Sequence, residues 1–532
     1  MIRSMNAAWW VDRWSELAPR KAAVIYEGET ISYADLKRRA DRTACWLQSV
    51  GVEKSDRVAV LLDNGPEFLE LYLACARLGA IFVPLNNRLT GPELAYLLSN
   101  CRPSLLVFGE RFTATLAPLQ LGRARPPLLL ATVGPSAASP GLSPALPPAF
   151  PDAERFSDRA AFDGERPFLT SSLCPSDPEE PHVIMYTSGT TGRPKGAVLS
   201  YRKTFFNCLN ADIFFSLQSD DVMLVVLPLF HSGGLFIQAS PALYKGATLV
   251  LHPRFDPGHT YRDIERLGVT KLLAVPTVFR ALLRVPPAER GSLASLQVAA
   301  IGGEKTTPEL VAACREAGFS LREIMGQTET SILLWASAQD LLERPGTVGR
   351  PVFHAEVKVV DSSGVSVAAG EVGEIAVQGS ILMKEYWQDP ERTQETLRGG
   401  CLYTGDLARV DADGYFYLVG RVKDLYISGG ENVYPAEVER ILREHPKIEE
   451  AAVLGVPDDV WGETGHAFVV PKAGQELSQE EVLAFCRDRL ARYKVPAAVT
   501  FRSTFPETAL GKVRKEELLA SLGAQEGPEK GR

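Results

Sequence analysis

The sequence predicts an α/β protein: a large N-terminal domain of helix-covered sheets plus a β-rich subdomain, followed by a small α+β C-terminal domain. Three observations predict it. Over the first three hundred residues, apolar runs of strand length alternate with helical patterns, which points to a mostly parallel sheet covered by helices. After about residue 355 the period changes to two, with Gly-containing turns between runs, as in antiparallel strands. At 532 residues the chain exceeds what one hydrophobic core serves, so two or more domains are expected. We place the N-terminal domain at residues 1–421 and the C-terminal domain at residues 422–532.

In order, "DRVAVLL", "GPEFLELYLACARLG" and "AIFVPL" read as strand, helix, strand, and "TYRDIERLG", "VTKLLAVP" and "TVFRALLRV" as helix, strand, helix. From Arg123 to Asp163 prolines and small residues dominate, which reads as a long surface connection. "EVKVVDSSGVSV" and "GEIAVQGS" read as antiparallel strands, and "GYFYLVGRVKDLYI" as another strand pair. "YPAEVERILREH" carries Pro near a helix start and then a helical stripe. The last ten residues read as disordered.

Composition excludes several functions. A net charge of −8 argues against a duplex nucleic-acid binder, which needs a basic footprint. The N-terminus shows no apolar core of signal-peptide length. The most apolar region, Val222 to Leu251, is broken by Pro228, His231, Gly233, Gly234, Pro241 and Lys245. No membrane span is expected there; a transient surface contact is left open, although no amphipathic segment stands out. The eight cysteines are scattered singly, with no Cys-x-x-Cys and no His pairing at zinc spacing. They read as packed thiols of a cytoplasmic protein.

The chemistry begins at "YTSGTTGRPKG", starting at Tyr186. Gly-rich turns expose N–H groups, hydroxyls add donors and Lys195 supplies a point charge, a set suited to polyphosphate. It is not a Walker loop: Gly196 follows the lysine, and Pro194 would disrupt the helix that must open there. "HVIMY" and "GAVL" flank it, so the loop joins two strands.

This string resembles the phosphate loop of the adenylate-forming (AMP-binding) enzymes, a superfamily that includes acyl-CoA synthetases and peptide-synthetase adenylation domains. Further signatures follow in the family's order over essentially the whole chain. The resemblance implies ATP contacts from Thr187, Ser188, Gly189, Thr190, Thr191, Gly192 and Lys195, and from Gly303. "LPLFHSGGL" implies that His231 stands at the acyl pocket. The Phe230-His231 pair disfavours an α-amino acid, because relatives for those carry Asp after Phe. "GQTE" implies nucleotide contacts from Gly326 and Gln327, an α-phosphate contact from Thr328, and Mg²⁺ on Glu329. Met325 stands where an aromatic residue usually stacks on adenine, and Cys401 where many relatives carry Trp. Asp406 and Arg421 are implied at the ribose, and "DADG" after them reads as a turn. Lys423 is implied as the hinge of a mobile C-terminal domain, Gly429 and Gly430 as the coenzyme A tunnel, and Lys512 as the adenylating cation.

The activity implied is an AMP-forming acid–thiol ligase using ATP, Mg²⁺ and coenzyme A. The apolar "TSILLWAS" and the small Ser232, Gly233 and Gly234 favour a greasy acyl chain with an open tunnel. The resemblance points to bacterial medium- or long-chain fatty acyl-CoA synthetases, also in "KEYWQDPERT" and "GGENVYPAEVE". The alternatives are an aromatic or succinylbenzoate-type acid, a fatty acyl-AMP ligase loading a carrier protein, and a non-catalytic acyl or nucleotide sensor.

Overall fold

The computed structural model describes residues 2–119, 121, 129–133, 153–162, 177–187, 194–304, 306–428, 431–458, 461–507 and 513–523. The chain divides into two compact units, Met1–Val357 with Val377–Leu402, and Lys358–Ala376 with Tyr403–Arg532.

The first unit carries two large sheets. The nine-stranded one has a parallel centre running Leu321–Gln327, Val298–Gly302, Lys271–Ala274, Val222–Val225, Thr248–Leu251 and Ala22–Tyr26. Antiparallel strands Ser331–Ala336, Arg350–Pro351 and Glu29–Ser32 close its edges. The eight-stranded sheet is parallel from Pro181–Thr187 through Ile81–Pro84, Arg57–Leu61 and Leu105–Gly109 to Leu129–Val133 and Glu154–Arg155. Lys195–Ser200 and then Glu385–Tyr386 extend it in antiparallel fashion.

These strands read as continuous apolar runs because helices cover both faces of a parallel sheet; every residue of Val298–Gly302 and Lys271–Ala274 is buried. The predicted strand–helix–strand units stand. Helix Pro66–Leu78 opens on Pro and closes on left-handed Gly79. Helix Pro257–Leu267 is capped by the Asp256 carboxylate and closes on Gly268.

Two expectations need correction. The stretch from Arg123 to Asp163 is not only a surface connection: Leu129–Val133 inserts into the eight-stranded sheet, with Ala131 fully buried. Its largely apolar run "LLATV" carries that strand inside a Pro-rich context. "GYFYLVGRVKDLYI" does form two strands, Phe416–Arg421 and Tyr426–Ser428, but they do not pair with each other. The tight turn Val422–Asp424 sends them into different sheets. Phe416–Arg421 returns along Cys401–Val410, with which it forms an antiparallel hairpin. The "DADG" turn closes that hairpin, with the Asp411 carboxylate accepting from the Asp413 and Tyr415 amides.

In the second unit, Tyr426–Ser428, Glu431–Val433, Ile448–Asp458, Gly462–Pro471 and Ala498–Phe501 build a small mixed sheet. Helices Pro435–Arg443 and Gln479–Arg487 pack over it through Val438, Leu442, Val482 and Leu483. Of the last ten residues, predicted to be disordered, Gly523 ends helix Lys515–Gly523 and residues 524–532 lie outside the described residues. Among the described residues no helix is long and apolar enough to cross a membrane.

Candidate active site

The predicted phosphate loop joins two paired strands. Pro181–Thr187 and Lys195–Ser200 form an antiparallel ribbon whose last pair is Thr187 with Lys195. Ser188, Gly189, Thr190, Thr191 and Gly192 lie outside the described residues. Gly196 is required where it stands, because a Cβ would come within 2.8 Å of the Ile184 side chain.

Strand Glu385–Tyr386 brackets this ribbon, pairing Tyr386 with Ala197. The Lys195 ammonium lies 4.5 Å from the Tyr386 ring centroid and 3.4 Å from its hydroxyl. That hydroxyl donates to Glu329 Oε1 at 2.7 Å, and the Met383 amide donates to the Glu329 carbonyl at 2.7 Å. Burial and the Glu329 charge push the Tyr386 phenol pKa well up, so it stays a donor. Lys195 and Glu329 are thus brought together through a tyrosine that sequence reasoning left without a role. Glu329 is 5% exposed, and its carboxylate suits Mg²⁺, a hard cation that takes few protein oxygens beside those of a nucleotide.

Glu329 sits in the turn between Leu321–Gln327 and Ser331–Ala336. Gly326 permits the turn: a Cβ there would fall 1.7 Å from the Ser331 carbonyl oxygen. Met325, Gln327 and Thr328 are half-buried and Gly326 exposed. Gly303 follows the neighbouring strand at φ +88, a conformation that favours glycine.

His231 lies on a loop held by Asn64, which donates to the Leu227 and His252 carbonyls and accepts from the Leu229 amide. The His231 Nε2 is buried without a hydrogen-bond partner. Burial, helped by the Arg88 charge, pushes its pKa down to about 4, so the imidazole is neutral near pH 7. The residues after it form a π-helix, Gly233–Ala239, a form that recurs at functional sites. The expected open tunnel over Gly233 and Gly234 is not what their small size serves. A Cβ on Gly234 would meet the Pro228 carbonyl at 2.4 Å, and one on Gly233 the Leu227 side chain at 3.0 Å. The Pro228 backbone and the Leu227 side chain take that space.

In the second unit, Asp406 and Arg421 are direct partners in the hairpin register, with Arg421 Nε 2.8 Å from Asp406 Oδ1. Lys423 is exposed in the turn Val422–Asp424. Gly429, Gly430 and Lys512 lie outside the described residues. A cleft of about 390 Å³ in this unit includes Trp461, Arg487, Arg492 and Tyr493 in its lining. The Arg492 guanidinium lies 5.9 Å from the Trp461 ring centroid. Aromatic faces beside guanidinium groups suit a nucleotide and its phosphates. The four residues are scattered over 33 positions, so no motif announced them.

The sequence showed no His pair at zinc spacing, yet the fold gathers His252, His259 and Asp263. Asp263 Oδ2 lies 3.0 Å from His252 Nε2 and 3.2 Å from His259 Nε2, while Arg266 takes the other oxygen. Both Nε2 atoms thus meet the same Asp263 oxygen, with the two imidazole rings stacked 13° apart at 4.5 Å. The cluster is a hydrogen-bonded support for the loop under Asn64. Of the cysteines, Cys75, Cys101, Cys208, Cys314 and Cys486 are buried and Cys45 and Cys401 partly so; Cys401 is a strand residue paired with Arg398.

Residues 11–387 match the AMP-binding enzyme family and residues 437–512 the AMP-binding enzyme C-terminal domain. The chain is 39% identical over 523 residues to feruloyl-CoA synthase of Amycolatopsis sp, covering 98% of this chain and 100% of that one. It is 39% identical to indoleacetate–CoA ligase of Aromatoleum aromaticum, covering 97% and 98%. The o-succinylbenzoate CoA synthetase of Bacillus subtilis, 30% identical, superposes in complex with its acyl-adenylate intermediate (TM-score 0.83, 98% and 99% covered). Its complex with ATP and magnesium ion superposes with a TM-score of 0.82 (96% and 99% covered). The motif order, the Lys195–Tyr386–Glu329 arrangement and these likenesses agree: the chain belongs to the AMP-binding enzymes and is a CoA ligase of the AMP-forming type, working through an acyl-adenylate with ATP, magnesium and coenzyme A.

Proposed function

We propose that this ligase activates an aromatic carboxylic acid whose carboxyl group sits on a short side chain, as in arylacrylic and arylacetic acids. The observation that carries this reading is the 39% identity, over nearly the whole of each chain, to ligases named for feruloyl and indoleacetate groups. The site supports it. The buried Phe230 ring lies 4.6 Å from that of a neutral His231 whose Nε2 has no partner, an apolar setting with one polar atom for a ring substituent. The packing of Gly233 and Gly234 against Leu227 and Pro228 removes their small size as an argument for a medium- or long-chain fatty acid.

In the first half-reaction the substrate carboxylate attacks the α-phosphorus of ATP in line, forming acyl-AMP, and pyrophosphate leaves. Lys195 and the loop before it balance charge on the phosphates, Thr328 contacts the α-phosphate, and Glu329 is the metal ligand. Magnesium bound there neutralises phosphate charge. Tyr386 orients Glu329, Met325 and Gly303 flank the adenine, and Asp406 and Arg421 serve the ribose. In the second half-reaction the coenzyme A thiol, losing its proton, attacks the acyl carbonyl and AMP leaves. We assign Lys512 to the first step, Gly429 and Gly430 to the pantetheine arm, and Lys423 to the hinge near the boundary between residues 1–421 and 422–532. The Trp461–Arg492 cleft takes the nucleotide end of coenzyme A.

The test is pyrophosphate release and mass detection of the thioester with ferulate, indoleacetate, 2-succinylbenzoate, benzoate, decanoate and palmitate, with and without coenzyme A. Turnover on the arylacrylic or arylacetic acid at least tenfold above decanoate supports the reading. A preference for decanoate or palmitate overturns it in favour of the fatty acid.

A further inference from the structure

Helix Tyr201–Phe215 carries a lysine that the reaction above does not use. Lys203 is 1% exposed, so its ammonium is out of water and its N–H groups must find partners inside the protein. They find them at both ends of the Glu329 turn. Nζ donates to the Thr328 carbonyl at 3.1 Å and to the Ser331 hydroxyl. Four residues on, and so on the same helix face, Asn207 accepts from the Ile332 amide at 3.5 Å and donates to the Phe236 carbonyl in the π-helix. One helix face therefore grips both the metal-ligand turn and the segment that follows His231.

The turn needs such a grip. Ser331 is held at φ +59, where a residue with a side chain is uncommon and persists only if its surroundings enforce it. Its carbonyl occupies the space a side chain at Gly326 would need. Without the lysine, the buried Ser331 hydroxyl and the part-buried Thr328 carbonyl lose this donor, and the strained residue keeps only the longer bond from the Ser232 hydroxyl at 3.5 Å. A packing role alone would be served as well by methionine, which has a similar stem and no donors.

We infer that Lys203 is a positioning residue for adenylate formation: with Asn207 it clamps Thr328–Ile332, presents the Glu329 carboxylate to the metal–nucleotide, and ties that turn to the acyl side of the site. The inference rests on the reading that Glu329 holds the metal of Mg·ATP.

The experiment compares wild type and Lys203→Met in three measurements: calorimetric binding of Mg·ATP, pyrophosphate release with acid, and thioester formation from supplied acyl-adenylate and coenzyme A. Losing the donor to two acceptors should weaken Mg·ATP binding and raise its KM by about tenfold or more, with adenylation kcat falling similarly. Thioester formation from supplied acyl-adenylate should stay within about twofold of wild type. Unchanged Mg·ATP binding and adenylation overturn the inference. So does equal loss of both half-reactions with a lower melting temperature, the mark of a purely structural lysine. If Lys203→Met does not fold, Ser331→Ala removes one acceptor without touching the lysine and should show the same split; its absence overturns the inference. A wild type that binds Mg·ATP but releases no pyrophosphate with any acid sinks the ligase reading instead, and the calorimetric comparison still judges Lys203.

Discussion

Tyr386 shows what single residues decide here. Its hydroxyl is the link between the phosphate-loop lysine and the buried Glu329 carboxylate. A hydrogen bond to a charged, buried group contributes about 1.5–3 kcal/mol. Tyr386→Phe keeps the ring under Lys195 and removes that bond. Adenylation kcat/KM should fall about ten- to a hundredfold, read by pyrophosphate–ATP exchange, with the KM for magnesium raised. Exchange at the wild-type rate would mean that Glu329 needs no orienting partner. Tyr386 was present in "KEYWQDPERT", but a tyrosine in a motif carries no sign of what it touches 57 positions away. Lys203 gave still less signal, since a lysine after a helix start reads as a solvated charge until its burial is known.

Single elements carry titration behaviour that no motif reveals. Strand Leu321–Gln327 buries Glu323, and burial pushes its carboxyl up to about 8 while the Thr306 hydroxyl opposes the shift. Strand Pro181–Thr187 buries His182 against Tyr201, with rings 4.3 Å apart, and burial pushes its pKa down to about 3. The signs are opposite. Between pH 4.5 and 8 the folded chain keeps the Glu323 proton that the unfolded chain has released, so this group lowers stability as pH rises through that window. Between about pH 6.5 and 3 the unfolded chain takes up a proton that folded His182 refuses, so stability falls as pH falls. Glu323→Gln removes the first effect. The variant's melting temperature minus that of wild type should rise from pH 5 to pH 8. A difference that is flat or falls over that range would show Glu323 to be ionised in the fold.

Over the whole molecule, we assign the two half-reactions to different residues of the second unit, Lys512 to the first and the Trp461–Arg492 cleft to the second, and variants should separate them. Lys512→Ala should abolish pyrophosphate release from ATP and acid, yet spare thioester formation from supplied acyl-adenylate. Trp461→Ala with Arg492→Ala should do the reverse, leaving pyrophosphate–ATP exchange near wild type and raising the KM for coenzyme A by about tenfold or more, as loss of cation–π and phosphate contacts requires. Parallel rate measurements of the two half-reactions check both. Equal losses of both half-reactions in either variant would refute this division.

What the sequence by itself determined was local. Apolar runs of strand length declared the parallel sheets, because a strand covered on both faces must be apolar throughout. Pro at helix starts and Gly at helix ends declared the helices, and "YTSGTTGRPKG" declared a polyphosphate loop, because a phosphate cradle is built from consecutive residues; "GQTE" and Asp406 gained their ATP roles only through the resemblance to the AMP-binding enzymes. Only the tertiary structure decided what depends on burial and on distant partners. It placed Leu129–Val133 in a sheet, parted the two strands of "GYFYLVGRVKDLYI", set Tyr386 on Glu329 and Lys203 under Ser331, and gathered Trp461 with Arg492. It also gave the space beside Gly234 to the Pro228 carbonyl. The physical reason is the same in each case. A side chain's chemistry depends on what excludes water from it and what bonds it there, and those neighbours are set by packing between segments far apart in the chain.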